Sequence, residues 1–258
     1  MTHNISYRRL LNKMGYYNYQ NGLIYHHINQ EGGWDNHQEH CRSFILKALD
    51  FYKPEKVTVL GSGWLLDLPL AELIEKTRKV CLVDIVHPPD VISQVGGFKN
   101  VELIEQDITG GLIEEVWQKT GKYSFFNKLH SLENIIVPEY KPDGDPGMVI
   151  SLNILTQLES QLIDFLRKKS RIKEEEFNLF RTEIQKKHID FLKKNKSVLI
   201  TDITEIFTDN SGNVTNIPTV ITDLPDEHFK EEWTWHFDLV RSDYYTKRSV
   251  FKIVGIII

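Results

Sequence analysis

The chain has 258 residues, 41% hydrophobic, 26% charged and 11% aromatic, which excludes a disordered chain, a collagen-like repeat and a disulfide scaffold. Lys and Arg number 31 against 36 Asp and Glu, for a formal charge of -5. That balance lacks the basic footprint of a nucleic-acid binder, so no nucleic-acid partner is expected.

The opening stretch, MTHNISYRRLLNKMGYYNYQ, carries basic residues but no uninterrupted apolar core or small-residue cleavage site, so it does not read as an export signal. Residues 1–36 are rich in Tyr, Asn, His and Gly without a clear period and are expected to form a lead segment packed on the domain. From Asn36 a helix over 37–52 is expected. Asn36 can cap it, Glu39 follows at the third position, and Phe44, Ile45, Ala48, Leu49 and Tyr52 make an apolar stripe that ends at Pro54. Cys41 lies in that helix and Cys81 in a strand, with no CxxC spacing, so both are expected as reduced thiols of a cytoplasmic protein.

VTVL at 57–60 reads as a buried strand, GSG at 61–63 as a tight turn, and 65–76 as an amphipathic helix. Val80–Val83 is a second strand, ending in Asp84. Val101–Ile104 is a third, followed by Asp107. This alternation predicts βαβ units and a parallel sheet. Residues 123–147, with three prolines near their end, break the rhythm and read as a long loop or lid insertion.

A fourth strand over 148–152 runs into Asn153 and a helix whose Leu158, Leu162, Phe165 and Leu166 share a face, and 167–196 reads as a second, highly charged helical stretch. Strand five, 197–201, leads into a hairpin insertion over 203–222, turning near Asn210. Two closing segments, 233–240 and 249–258, are expected to pair antiparallel, with Trp233, Trp235, Phe237 and Leu239 on one face. The longest apolar run, Ile253 to Ile258, is far short of the roughly 20 residues that cross a bilayer, so a soluble chain without a membrane partner is expected. Residues 37–258 therefore read as one α/β domain.

The chemistry concentrates at VTVLGSGWLLDLPL, residues 57–70. A strand turning on Gly61 and Gly63 lets backbone amides approach a ligand, and a following helix would aim its positive end there; a plain βα turn is the alternative. Asp84 falls 23 residues after Gly61, the spacing that sets a carboxylate beside the first turn of a doubly wound sheet, where it can accept both ribose hydroxyls. Asp107 could flank an adenine or cap the next helix.

VTVLGSG, LVDIV with Asp84, LIEQD with Asp107, and MVISLNIL, in that order, resemble the motifs of the class I S-adenosylmethionine-dependent methyltransferase family. The resemblance implies a Rossmann-like, doubly wound, mostly parallel seven-stranded sheet with an antiparallel C-terminal hairpin. It implies that Gly61, Ser62 and Gly63 line the methionine end of the cofactor, that Asp84 holds the ribose, that Asp107 and Ile108 flank the adenine, and that Ser151 and Asn153 border the methyl-transfer pocket. The chain departs from the family pattern at Val59, where an acidic residue is common, and at Leu65, where a third glycine is common.

S-adenosylmethionine or its demethylated product is thus the expected ligand, with methyl transfer to a small-molecule acceptor. A protein that keeps the fold without catalysis is the alternative. A nicotinamide-dinucleotide oxidoreductase is a weaker reading, because Leu66 fills the last glycine position of its fingerprint. Methyl transfer can run on positioning and desolvation, and no acid or base is legible.

His3, His26, His27, His37 and His40 crowd the first 41 residues, where one or two could cover the ligand, bind a metal, or lie at the surface; no metal site is expected, since His37, His40 and Cys41 lack a metalloenzyme spacing. His188 reads as a hydrogen-bonded core residue, and His87 either approaches the adenosine or sits in a stiff loop before Pro88 and Pro89. Trp34 and Trp64 could stack on a ligand ring or simply pack. No GxSxG or P-loop pattern is present.

Overall fold

The computed structural model describes residues 5–120, 128–209, 211–239 and 248–258. Three helices lead the chain, α1 (Ile5–Met14), α2 (Tyr16–Asn29) and α3 (Asp35–Tyr52). Strand and helix then alternate through β1 (Lys56–Leu60), α4 (Leu70–Lys76), β2 (Lys79–Asp84), α5 (Pro89–Val95), β3 (Val101–Glu105), α6 (Leu112–Thr120) and β4 (Met148–Leu152). After α7 (Gln157–Lys169) and α8 (Glu174–Lys193) come β5 (Ser197–Thr208), β6 (Val214–Pro218), β7 (Phe229–Trp235) and β8 (Arg248–Ile257).

The sheet runs β3-β2-β1-β4-β5-β8-β7, with β6 added on β5. β1 to β5 are mutually parallel, whereas β8 is antiparallel to β5 and β7 antiparallel to β8. Helices cover both faces, which is why a central strand such as MVISL is buried at every residue instead of alternating. By period two, Val57, Val59, Val80, Leu82 and Ile150 face the layer of α3, α4 and α5, and Leu60, Val83, Val149 and Leu199 face the layer of α1, α6, α7 and α8. The architecture is Rossmann-like. Its reversal of strand order between β1 and β4 opens a crevice at the strands' C-terminal ends.

Several expected boundaries move. α3 begins at Asp35 with Trp34 at its N-cap, so Asn36 lies inside the helix and makes no cap. The helix expected from residue 65 starts at Leu70, because Leu65 takes φ +63°, outside the helical region, and Pro69 stands at the N-cap. The charged helical stretch over 167–196 divides around Ser170, which bridges Leu129. β5 is 12 residues long, shifts register against β8 between Asp202 and Thr204, and pairs antiparallel with β6 as expected, while Asn210, the expected turn, lies outside the described residues. β7 ends at Trp235, and 236–239 are irregular, so the alternation through Phe237 and Leu239 is not a strand.

The lead segment consists of α1 and α2, broken at Gly15, which takes φ +93°. Of the expected lid, residues 121–127 lie outside the described residues. Residues 128–147 contain no helix or named strand and bury Leu132, Ile135, Val137 and Tyr140 in the α6–α8 layer, where the Tyr140 ring meets Phe191 edge-on. Among the described residues no helix is long and apolar enough to cross a membrane.

A buried polar joint ties the helices to the segment after β6. Glu159 on α7 accepts from Arg181 Nε at 3.0 Å and Gln185 Nε2 at 2.9 Å, and Gln185 also donates to Thr219 O at 2.9 Å. Burial pushes the Glu159 carboxyl up to about 7 against these donors. A carboxyl raised on folding contributes stability below its unfolded pKa and loses it as pH rises through the folded value. Glu159→Gln is therefore expected to reduce the stability lost between about pH 4.5 and 7, by on the order of 2–3 kcal/mol, in urea midpoints measured across that range.

Candidate functional site

β1 ends in a turn with three left-handed residues at alternate positions, Gly61 (φ +78°), Gly63 (φ +48°) and Leu65 (φ +63°). At Gly61 this is sterically required, since a Cβ there would lie 2.7 Å from Ile154 Cβ and 2.9 Å from Leu152 O. Leu65 makes the third left-handed step with a side chain buried in the α3–α5 layer, so burial compensates for backbone strain where glycine would have none. Val59 is likewise buried there and supplies no polar group to the site.

Asp84, at the end of β2, reaches this turn. Its Oδ2 accepts from Gly63 N–H at 2.8 Å and its Oδ1 from Ile85 N–H at 2.7 Å. Gln20 Nε2 on α2 also donates to Oδ1, at 3.2 Å, and Trp64 Nε1 donates to Gln20 O at 2.9 Å, which seats α2 over the turn. Burial pushes the Asp84 carboxyl above its usual range, and the Gly63 amide opposes this.

Two small cavities meet at Asp84, Ile154 and Gln157, which line both. One, of about 90 Å³, lies against Gly61, Ser62, Gly63, Asp67 and Asn153, walled by Trp34, Trp64 and Trp235. The other, of about 50 Å³, lies against Asp107, Ile108, Gln106 and Tyr16. Gln20 Oε1, Ser62 Oγ, Asp67 Oδ1 and Asn153 Oδ1 are buried without a hydrogen-bond partner, and all four residues line the first cavity. Buried polar groups without partners are costly and mark places where a ligand or water completes the structure.

The residues expected from the sequence are only partly brought together. Gly61, Ser62, Gly63, Asp84 and Asn153 share the first cavity, and Asp107 and Ile108 lie with Asp84 in the second. Asp107 also caps its own turn, accepting from Thr109 N–H at 2.8 Å and Ile113 N–H at 3.3 Å. Ser151 lines neither cavity. By strand alternation it faces the α8 layer, where its hydroxyl lies 2.8 Å from His188 Nε2. Burial lowers His188 to about 4, so the ring is neutral and serves the core. Ser151→Ala is expected to cost about 1–3 kcal/mol in urea unfolding, because it strands a buried ring nitrogen. Titration calorimetry with S-adenosylhomocysteine should show affinity unchanged within about twofold.

Gln20, Asp67 and Trp235 also line the first cavity, and His37 stands immediately behind Asn153. Asn153 takes φ +51° just past β4, and its Nδ2 lies 2.9 Å from Asp67 Oδ2 and 3.0 Å from His37 Nε2. His37 Nδ1 accepts from Trp233 Nε1 at 3.0 Å, and its ring stacks on Trp235 at 4.0 Å. Burial lowers His37 to about 3 and raises Asp67 to about 6. The sequence signals were an acid within LLDLPL and a histidine on an apolar helix face. The first was hidden by reading 65–76 as helix, since only the extra turn before Leu70 brings Asp67 to the cavity.

His26 and His87 are held within the fold, and His3 lies outside the described residues. His26 Nε2 lies 2.8 Å from Asp238 Oδ1, joining α2 to the segment after β7, and His87 is buried with Nε2 3.3 Å from Ile104 O. Cys41 and Cys81 are free thiols, and among the described residues no group of three or more His, Cys, Asp or Glu converges to hold a metal. Trp34 and Trp64 line the first cavity while their indole N–H groups bond backbone carbonyls, of Phe237 and Gln20.

No family model matches the chain, and no curated protein matches it. Among solved structures it is similar to the DhpI-SAM-HEP complex, at 10% identity over 95% of this chain and 97% of that one, with a TM-score of 0.35. It is also similar to the 23S rRNA methyltransferase ErmE, at 11% identity over 84% of this chain and 68% of that one, with a TM-score of 0.29. An rRNA methylase from Streptococcus thermophilus matches at 9% identity over 82% of this chain and 93% of that one, with a TM-score of 0.26.

Proposed function

We propose that the chain binds S-adenosylmethionine, or its demethylated product, across the C-terminal ends of β1 to β4 and transfers the methyl group to a small-molecule acceptor. The observation that carries this reading is the pair of cavities meeting at Asp84, which pairs a carboxylate with a glycine turn on one side and with Asp107 and Ile108 on the other. The orphaned oxygens of Gln20, Ser62 and Asn153 suit a ligand rich in hydroxyl and amine donors.

When bound, the cofactor supplies a methyl group activated by a sulfonium centre. Asp84 would accept the ribose hydroxyls, taking the place that Gln20 Nε2 now fills on Oδ1. Ile108 would pack against the adenine face, with Asp107 held rigid by Thr109 and Ile113. Trp34, Trp64 and Trp235 would exclude water from the reacting end, so that the chain contributes alignment and desolvation in preference to a proton-transfer group. Ligand sites commonly occupy about 300–1,000 Å³. The two cavities are smaller, so entry requires α2 to move with Gln20.

Titration calorimetry with S-adenosylmethionine, S-adenosylhomocysteine, NADH and NADPH tests the reading. Micromolar binding of the adenosyl compounds alone is the expected result and opens an acceptor screen. Preference for the nicotinamide dinucleotides, or binding of none of the four, contradicts it. Adenosyl binding with no turnover on any small acceptor would instead favour a binding protein on the same fold.

A further inference from the structure

The first cavity has an electrostatic character that the assignment of Asp84 to the ribose leaves unused. No Lys, Arg or His lines it, while two carboxylates do, Asp67 and Asp84. Asp84 is saturated by two backbone amides and Gln20. Asp67 has one hydrogen bond, from Asn153, and its Oδ1 has no partner. Among the described residues no Lys or Arg pairs with it. His37 Nε2, at 3.9 Å, is neutral, since burial holds that ring near 3. Besides Asp67 Oδ1, the residues lining the same cavity carry the unpartnered Asn153 Oδ1 and Ser62 Oγ, and three tryptophans complete the lining. Unpaired acceptors, a carboxylate without a counter-ion and aromatic walls are complementary to a cation carrying N–H donors.

We propose that the Asp67–Asn153–Ser62 end of this cavity is a subsite for a protonated aliphatic amine, with Asp67 as its counter-ion. The amine has two sources, the amino group of an adenosyl ligand or a separate amine such as a methyl acceptor. The subsite's chemistry does not rest on the adenosyl reading.

The network behind Asn153 explains why the oxygens face inward. Trp233 Nε1 can only donate, so His37 Nδ1 is an acceptor and the ring proton sits on Nε2. With Asp67 ionised, its carboxylate holds Asn153 Nδ2 at 2.9 Å even against the His37 Nε2–H 3.0 Å away, and Asn153 Oδ1 is left for the ligand. With Asp67 protonated, the amide gains by turning over, so that Asn153 Oδ1 accepts from both Asp67 and His37 and its NH2 group faces the cavity. Donors then confront a cationic ligand. The groups facing Asp67 are His37, Cys41 and Arg42 from α3 and Asn153 after β4; of these only Arg42 is charged, and it favours the ionised form. Amine binding is therefore expected near pH 8 and to weaken below about pH 6, where Asp67 takes up a proton.

The probe is n-propylamine, with n-propanol as neutral control, followed through the indole N–H signals in nitrogen-15-labelled protein. Trp235 lines the cavity and its buried Nε1 has no partner, which makes it the reporter. Saturable shifts with propylamine but not propanol, weakened about tenfold or more in Asp67→Asn, are the expected result. Equal response to the two probes, or an unchanged response in a folded Asp67→Asn, overturns the subsite. S-adenosylhomocysteine and its deaminated analogue then separate the sources. A preference for the amine-bearing compound that Asp67→Asn abolishes assigns the subsite to the adenosyl ligand's own amino group. Equal affinity for the two, with propylamine still bound in their presence, assigns it to a second ligand. Propylamine binding without adenosyl binding keeps the subsite and removes the adenosyl reading.

Discussion

Replacing Asp84 by Ala is expected to abolish measurable binding of S-adenosylhomocysteine and to lower stability, whereas Asp84→Asn folds and binds about 10- to 100-fold more weakly. The carboxylate has two tasks that these variants separate. It accepts the amides of Gly63 and Ile85, and Ala leaves both buried and unpaired, at about 1–3 kcal/mol each. It would also accept ribose hydroxyls, which gain from a charged acceptor that Asn lacks. Calorimetry and urea unfolding on both variants check this. A folded Ala variant that binds like the wild type removes Asp84 from the site.

Gly61→Ala is expected to destabilise the fold by about 3 kcal/mol or more and to remove ligand binding with it. Its Cβ would meet Ile154 and Leu152 O below 3.0 Å, and the backbone there sits at φ +78°, so neither the neighbours nor the turn can absorb the methyl group. Gly63→Ala is the matched control. The nearest atom to its Cβ is Gly61 O at 4.0 Å, leaving only the strain of a left-handed alanine, about 1–2 kcal/mol. Urea midpoints order the two variants, and a Gly61→Ala protein as stable as Gly63→Ala contradicts the packing argument.

The parts of the fold legible in the sequence were those with a strong period. Met148–Leu152, Val80–Val83 and Val57–Leu60 are apolar throughout because helices cover both faces, and the antiparallel closing pair announced itself by its short connection. The lead helices were not legible. α2 is YYNYQNGLIYHHIN, whose aromatic and amide residues give no clean apolar stripe, and it is held by particular bonds such as Gln20 to Asp84 and His26 to the Phe237 carbonyl.

At the site, the glycine turn, Asp84 and Asp107 could be located from strand ends and spacing alone. Ser151 could not be oriented with Asn153 although both follow from one motif: β4 alternation sends Ser151 to His188, whereas the left-handed Asn153, past the strand's end, turns back to the cavity. Asp67 and Gln20 depend on tertiary placement. Leu65 in a left-handed conformation delays α4 and swings Asp67 inward, and nothing local in the lead segment marks Gln20.

The most direct test of the account is a crystal structure of the protein with S-adenosylhomocysteine. Both ribose hydroxyls are expected about 2.5–3.0 Å from the Asp84 carboxylate, with Gln20 Nε2 displaced from Oδ1, the adenine beside Ile108, and the amino-acid end toward Ser62 and Asn153. A ligand bound away from the β1 turn, or one seated there with Gln20 still on Asp84 and no ribose contact, contradicts it.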